Sequence, residues 1–234
     1  MDVELNLSIA PQPDDSTCGP TCLHAIYEYF KDPVQLETVI GQVPTLDNGG
    51  TLGVMLANHA LGRDYRCSIY TYNLMIYDPT WFLPGVDIKS RLKERAAHTS
   101  DDKQKLAIRQ YIEFIDNGGK LYFQDLTRSL LRRFIRRRIP ILTGLNSTYL
   151  YRTMRSFGPM MADDDVRGEV VGHFVVLCGY HEADKTVLVA DPYHGNPYSK
   201  ERVYAMPMDR VIGAILLGVM TYDANFMIIE PKAK

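Results

Sequence analysis

Gln12-Pro13-Asp14-Asp15-Ser16-Thr17-Cys18-Gly19-Pro20-Thr21-Cys22 is the stretch from which the rest of the chain can be read. Beyond it, Ala25, Ile26, Tyr29 and Phe30 recur at helical spacing and predict a helix over about 20–31. Cys18 then stands just ahead of that helix or in its first turn. The partial positive charge of a helix N-terminus favours thiolate over thiol there. Gly19 lets the backbone pass close to a ligand, and Pro20 suits a first-turn position with no intrahelical bond to lose. Gln12, six residues before Cys18, carries an amide able to donate to an oxyanion. A nucleophile, backbone donors and a side-chain donor in one short segment point to acyl transfer through a thiol.

Gln12, Cys18 and the small-residue turn at Gly19 leading into a helix resemble the C39-type cysteine peptidases. These are papain-like enzymes best known as domains that cleave after double-glycine leader peptides. The resemblance implies an α+β, papain-like fold with the nucleophile on an N-terminal helix packed on an antiparallel sheet. It also implies a His at the start of one strand and an Asp after the next. This chain offers Gly172-His173-Phe174-Val175-Val176-Leu177 and then Val187-Leu188-Val189-Ala190-Asp191-Pro192-Tyr193. By that resemblance His173 is the base, Asp191 orients it, and Gln12 with the Cys18 backbone N–H receives the oxyanion. The similarity rests on about 12–30, 139–145 and 170–195. The stretch 63–135 carries no family signal and reads as a family-atypical insertion within a single domain spanning 1–234.

The hairpin between the two candidate strands tests that pairing. With a three-residue loop, Glu182 to Asp184, Val175 faces Asp191, and His173 is its diagonal neighbour on the same face, roughly 7 Å away at the backbone. A two-residue loop at Ala183-Asp184 would put the two on opposite faces. Asp191 also precedes Pro192, where strands end, so it is free to leave the ladder.

Composition narrows the alternatives. The chain has 234 residues, 46% hydrophobic and 23% charged, enough for a full core in one soluble domain. A net charge of −2 gives no reason to expect nucleic acid or a membrane surface. Four irregularly spaced cysteines do not make a disulfide framework. The acidic start Met1-Asp2-Val3-Glu4-Leu5 lacks the pattern of a signal peptide, and the apolar run Val211 to Met220 is too short to span a bilayer. The expectation is a cytoplasmic protein with reduced thiols. The chemistry calls for no metal and no organic cofactor. Zinc held by Cys18, Cys22 and His24 lacks a second Cys or His pair at ligand spacing.

Further elements follow from periodicity. Strands are expected at Val3 to Ile9, Tyr65 to Tyr72, 140–145, 173–180, 186–190 and Phe226 to Glu230. Helices are expected at 34–41, from a Thr51 cap to Leu61, within 87–117, at Gln124 to Arg138 and near 207–218. Asp47-Asn48-Gly49-Gly50 reads as a turn, and 73–86 and 146–169 as irregular connections.

Each singled-out residue also has a plainer reading. Cys22, Cys67 and Cys178 sit in apolar patterns and read as core. His24 and His59 lie in helices, His98 in a charged linker and His181 in a hairpin turn, leaving His194 as the only competitor to His173. Asp191 could merely start an Asp-Pro turn, and Gln12 could be an ordinary loop residue. The arginines at 128, 132, 133, 136, 137 and 138 read as a solvated helix face, or else as a dock for an acidic ligand. Tyr70, Tyr72, Tyr77, Trp81 and Phe82 suit either core or a substrate groove. The expected function is a standalone cysteine peptidase or amide hydrolase acting on a peptide, an isopeptide or a small amide. An acyltransferase on the same scaffold and a non-catalytic peptide-binding module are the rivals. Retention of Cys18, His173 and Asp191 together favours an enzyme.

Overall fold

The computed structural model describes residues 2–47 and 49–232, so Asn48 of the expected turn lies outside the described residues. The first strand, β1 (Val3–Glu4), is shorter than the expected Val3–Ile9. Leu5, Leu7 and Ile9 still bury alternate side chains, but the chain leaves the ladder after Leu5, whose N–H donates to the Cys178 carbonyl. Helix α1 (Cys18–Tyr29) begins at the cysteine itself. It is followed by α2 (Leu36–Gln42), α3 (Gly53–Gly62) and strand β2 (Tyr65–Thr71). Thr51 does not cap α3; its hydroxyl bonds the Pro44 carbonyl, and the Asp223 carboxylate accepts the Gly53 N–H at 2.7 Å.

Two amphipathic helices, α4 (Ile88–His98) and α5 (Asp102–Asp116), start at aspartates that accept first-turn N–H groups, Asp87 and Asp101. Strand β3 (Lys120–Tyr122) is unexpected. Helix α6 (Arg128–Arg136), capped by Thr127, is shorter than the expected Gln124–Arg138. Strand β4 (Ile141–Asn146) runs directly into α7 (Ser147–Tyr151), and β5 (Ser156–Phe157) pairs with β6 (Ala162–Asp163) in a separate small hairpin. The long connection expected at 146–169 is therefore partly ordered. Strands β7 (Gly172–His181), β8 (Thr186–Ala190) and the unexpected β9 (Val203–Pro207) form a meander, then α8 (Met208–Leu217) leads to β10 (Asn225–Pro231).

These strands make one eight-stranded sheet in the order β3-β2-β10-β4-β7-β8-β9, with β1 beside β7. Every pairing is antiparallel except β2 with β3. Alternation along the strands divides the core in two. Phe174, Val176, Cys178, Met227 and Ile229 face a layer built by α1 to α5. Val175, Leu177, Phe226 and Ile228 face a layer built by α6 and α8. The fold is α+β with the helix that starts at Cys18 packed on a mainly antiparallel sheet. Segment 63–135 supplies two strands, and Leu92, Ile108, Tyr111 and Phe114 from α4 and α5 share one core cluster with α1.

Two alternatives raised by the sequence resolve here. The arginines around α6 have partners within the chain. Arg128 pairs with Asp209, Arg132 and Arg136 with Glu182, and Arg137 with Glu230. Arg133 donates to the Tyr70 hydroxyl and Arg138 to the Glu4 carbonyl. The aromatic stretch packs as core: Tyr77 is buried, with Trp81, Phe82 and Tyr111 against its ring.

Candidate active site

The hairpin places the two candidate residues together by a route different from the one expected. His181 pairs with Thr186, so four residues, not three, turn between β7 and β8. That register alone is the one that would separate His173 and Asp191 onto opposite faces. A bulge between Leu177 and Gly179 absorbs one residue on β7, after which Leu177 pairs with Val189 and Val176 with Ala190. Val175 then comes level with Asp191, as the three-residue loop would have had it.

His173 sits near the start of β7, paired in register with Leu145 of β4. Its Nε2 is 2.8 Å from the Asp191 Oδ1, with His173 9% and Asp191 0% exposed. Asp191 has left the β7 ladder, and its N–H donates to the Arg202 carbonyl. Cys18 lies close to the imidazole and, after Asp191, is the neighbour that most favours its charged form. Burial works against a charge on His173, but the Asp191 carboxylate and then Cys18 outweigh it and push its pKa well above the ordinary histidine value. Burial likewise opposes the Asp191 charge, yet His173, Tyr151 and the Tyr193 N–H hold that carboxyl below the usual carboxylate range.

Cys18 is the first residue of α1, and Thr17 makes no side-chain capping bond there. First-turn N–H groups of a helix have no intrahelical acceptor, so they point toward whatever lies at the cysteine. Gln12 is buried, with 5% of its surface exposed, and is anchored twice. Its backbone N–H donates to the Pro192 carbonyl, next to Asp191, and its Nε2 donates to the Asp14 carbonyl at 2.8 Å. The second Nε2 hydrogen is left for another acceptor.

A cleft of about 350 Å³ opens beside this group, its lining including Gln12, Gly172 and His173, Met154, and Met161 and Asp163 of the small hairpin. His194 is exposed and does not line it. The remaining histidines are engaged elsewhere: His24 with the Val34 carbonyl, His59 with Tyr27 and Gln42, His98 with the Glu94 carbonyl, His181 with Glu4. Cys22, Cys67 and Cys178 are buried in the core, and burial pushes the Cys67 and Cys178 thiols up to about 12.

Sequence reasoning missed three residues. Tyr151, Tyr204 and Asn196 all donate to the second Asp191 oxygen, at 2.6, 2.8 and 3.1 Å. The alternation Val203-Tyr204-Ala205-Met206 was the available signal for the strand that carries Tyr204. Nothing in the sequence marks Tyr151 or Asn196.

A thiol at a helix N-terminus, an imidazole against it and a carboxylate behind the imidazole, on a helix-plus-antiparallel-sheet scaffold, define a papain-like cysteine peptidase fold. The chain belongs to the Peptidase_C39 like family, whose model matches residues 4–211. Among solved structures it is similar to a Bacillus anthracis protein described as a C39-like peptidase, at 12% identity and TM-score 0.53, each chain covered over 100%. It is also similar to a double glycine motif protease from an AMS/PCAT transporter, crystallised with the leader peptide, at 14% identity and TM-score 0.48, with 99% of each chain covered. Xylellain, a cysteine protease from Xylella fastidiosa, matches at 14% identity and TM-score 0.46 over 99% of this chain and 86% of its own. No curated protein matches the chain. Among the described residues no helix is long and apolar enough to cross a membrane.

Proposed function

We propose that the protein is a cysteine-type peptidase or amide hydrolase that works through a Cys18–His173–Asp191 triad. The observation that carries this reading is the 2.8 Å contact between the His173 Nε2 and Asp191, with Cys18 at the N-terminus of α1 close to the imidazole. With Nε2 on the carboxylate, Nδ1 is the ring nitrogen left to take the Cys18 proton. The thiolate attacks the substrate carbonyl carbon. A C–S bond forms, and the carbonyl oxygen becomes an oxyanion held by the Gln12 Nε2 and the Cys18 backbone N–H. Collapse breaks the C–N bond as His173 gives its proton to the leaving amine. Water then attacks the thioester while His173 takes its proton, and the acid leaves as the thiolate is restored. An amine in place of water would give acyl transfer, which product analysis with added amine separates.

The substrate is a peptide, an isopeptide or a small amide. The chemistry needs no metal or organic cofactor. The test is the rate of iodoacetamide alkylation against pH, read by mass spectrometry at each cysteine. Labelling of Cys18 ahead of the other three cysteines is expected, and His173→Ala should remove that advantage. Cys18→Ala and His173→Ala should each abolish turnover without unfolding the protein. A Cys18 no faster than an ordinary thiol in the wild-type protein would overturn the reading.

A further inference from the structure

Asp191 is 0% exposed and yet accepts five hydrogen bonds. Oδ1 takes the His173 Nε2 at 2.8 Å and the Tyr193 N–H at 3.0 Å. Oδ2 takes the Tyr151 hydroxyl, the Tyr204 hydroxyl and the Asn196 amide. A carboxylate needs only one well-placed partner to orient an imidazole. The crowding at Oδ2 therefore calls for its own explanation. The donors come from α7, β9 and the loop after β8, none of which carries Cys18 or His173.

We propose that Tyr151, Tyr204 and Asn196 are positioning residues that keep Asp191 ionised and spread its charge, so that His173 can lose its proton during turnover. The proposal rests on the triad reading above. Its chemistry follows from the two halves of the reaction. Acylation needs the imidazolium as an acid, whereas hydrolysis of the thioester needs the neutral imidazole as a base. A buried carboxylate with no partner but the imidazole would attract the proton so strongly that the ring would stay cationic. Three donors at Oδ2 satisfy the anion without solvent and lower its pull on the His173 proton. They also leave no acceptor position from which Asp191 could easily hold a proton itself. Tyr151 further lines the cleft, its ring 6.4 Å from the imidazole, so one side chain touches both the substrate wall and the buried carboxylate.

The other titratable groups around the pair are few. Cys18 and Cys22 approach from α1, and the Tyr193 ring lies 6.1 Å from the imidazole. Asp15 and Asp163 line the cleft without joining the hydrogen bonds at Asp191. Burial and Asp191 together push the Tyr151 and Tyr204 hydroxyls above the usual phenol range, so both remain donors at any working pH.

The decisive measurement is the titration of the His173 ring, followed by NMR in the full chain and assigned with His173→Gln. Wild type, Tyr151→Phe, Tyr204→Phe and the double variant are compared. The wild-type midpoint should lie well above the ordinary histidine value of about 6.5. Each Phe variant should move it higher still, with about a tenfold gain in proton affinity (about one pH unit) in the double variant. Turnover of the acyl-enzyme at neutral pH should slow accordingly. If the double variant does not fold, Asn196→Ala and the single variants give the same readout. Variants that melt earlier but leave the His173 midpoint in place would overturn the proposal while the triad stands. A wild-type midpoint at the ordinary histidine value would overturn the triad and the proposal together.

Discussion

Gln12 and Asp223 show how much a single residue's partners decide. Gln12 is held by Pro192 at its backbone and by Asp14 at its amide, which leaves one amide N–H for the oxyanion we propose it receives. Replacing it with Ala should lower the rate of amide hydrolysis by roughly 10²–10³, as loss of one oxyanion donor does. Iodoacetamide displacement forms no oxyanion, so alkylation of Cys18 should stay near wild type in the same variant. Parallel loss of both would mean that Gln12 supports the loop and not the oxyanion. Asp223 tests a different balance. Burial, opposed by the Gly53 N–H and Asn225, raises its pKa to about 6, above the 3.8 of an ordinary Asp. The folded state thus binds the proton more tightly than the unfolded one. Stability should fall as pH rises from about 4 to about 6, and the full cost above pH 6 is about 3 kcal/mol. Asp223→Asn removes that cost and keeps an acceptor for Gly53. Its amide would also offer a donor to the neighbouring Asn225 Oδ1, which has no hydrogen-bond partner among the described residues. The variant should therefore melt higher than wild type at pH 7 and converge with it near pH 4. If Asp223→Asn instead lowers stability at both pH values, the anion is worth more to the α3 N-terminus than its burial costs.

At the scale of elements, α1 has to bring Cys18 down onto β7, and Gly19 is what lets it approach. A Cβ at position 19 would stand 2.7 Å from the Thr51 methyl, 3.2 Å from Leu56 and 3.3 Å from Phe174, the residue next to His173. The Thr51 methyl is on a β-branched side chain that cannot swing far. Gly19→Ala should therefore cost about 1–3 kcal/mol and slow Cys18 alkylation, because α1 must back away from the strand that carries His173. An unchanged melting temperature with unchanged alkylation would show that the contact relaxes freely. The elements legible in the sequence were those with long, clean periods: α1, α3, α5, β2, β7, β8 and β10. Most of those missed were short. Strands of two or three residues, β3, β5 and β6, and the five-residue α7 give too few turns of any period to read, while β9, as long as β8, lies outside the segments that carry the family resemblance. That is why the triad candidates could be named from sequence while Tyr151 and Tyr204 could not. The hairpin makes the same point more sharply. Next to Asp191, at Val176 and Ala190, the register is the one a three-residue loop would give, but it arises from a four-residue turn corrected by a one-residue bulge at Cys178, and nothing in a one-dimensional pattern distinguishes that pair of shifts from a single shorter loop.

Across the whole molecule, the site is assembled from both sides of the sheet. Cys18 arrives with the helical layer of α1 to α5, while Tyr151 and Tyr204 pack with the layer of α6 and α8. His173, near the start of β7, is where the two meet. The layers are coupled most directly by β10, the last strand in sequence, which lies between β2 and β4 and buries residues toward both faces. Phe226 points to the second layer and stacks on Tyr70, with ring centroids 4.6 Å apart and planes 4° from parallel. Phe226→Ala should remove about 3–5 kcal/mol, the usual cost of a large core aromatic. If the sheet couples the layers into one cooperative unit, that loss is felt on the opposite face as well. Cys67, buried on β2 against the α1 to α5 layer, reports it. Its exposure to a thiol reagent in rising urea should shift to lower denaturant by the same amount as loss of far-ultraviolet circular dichroism. Cys67 protection that stayed at the wild-type midpoint while the ellipticity moved would mean that the two layers unfold separately. The proposed triad could then be lost through Asp191 alone, with the Cys18 helix still in place on its half of the sheet.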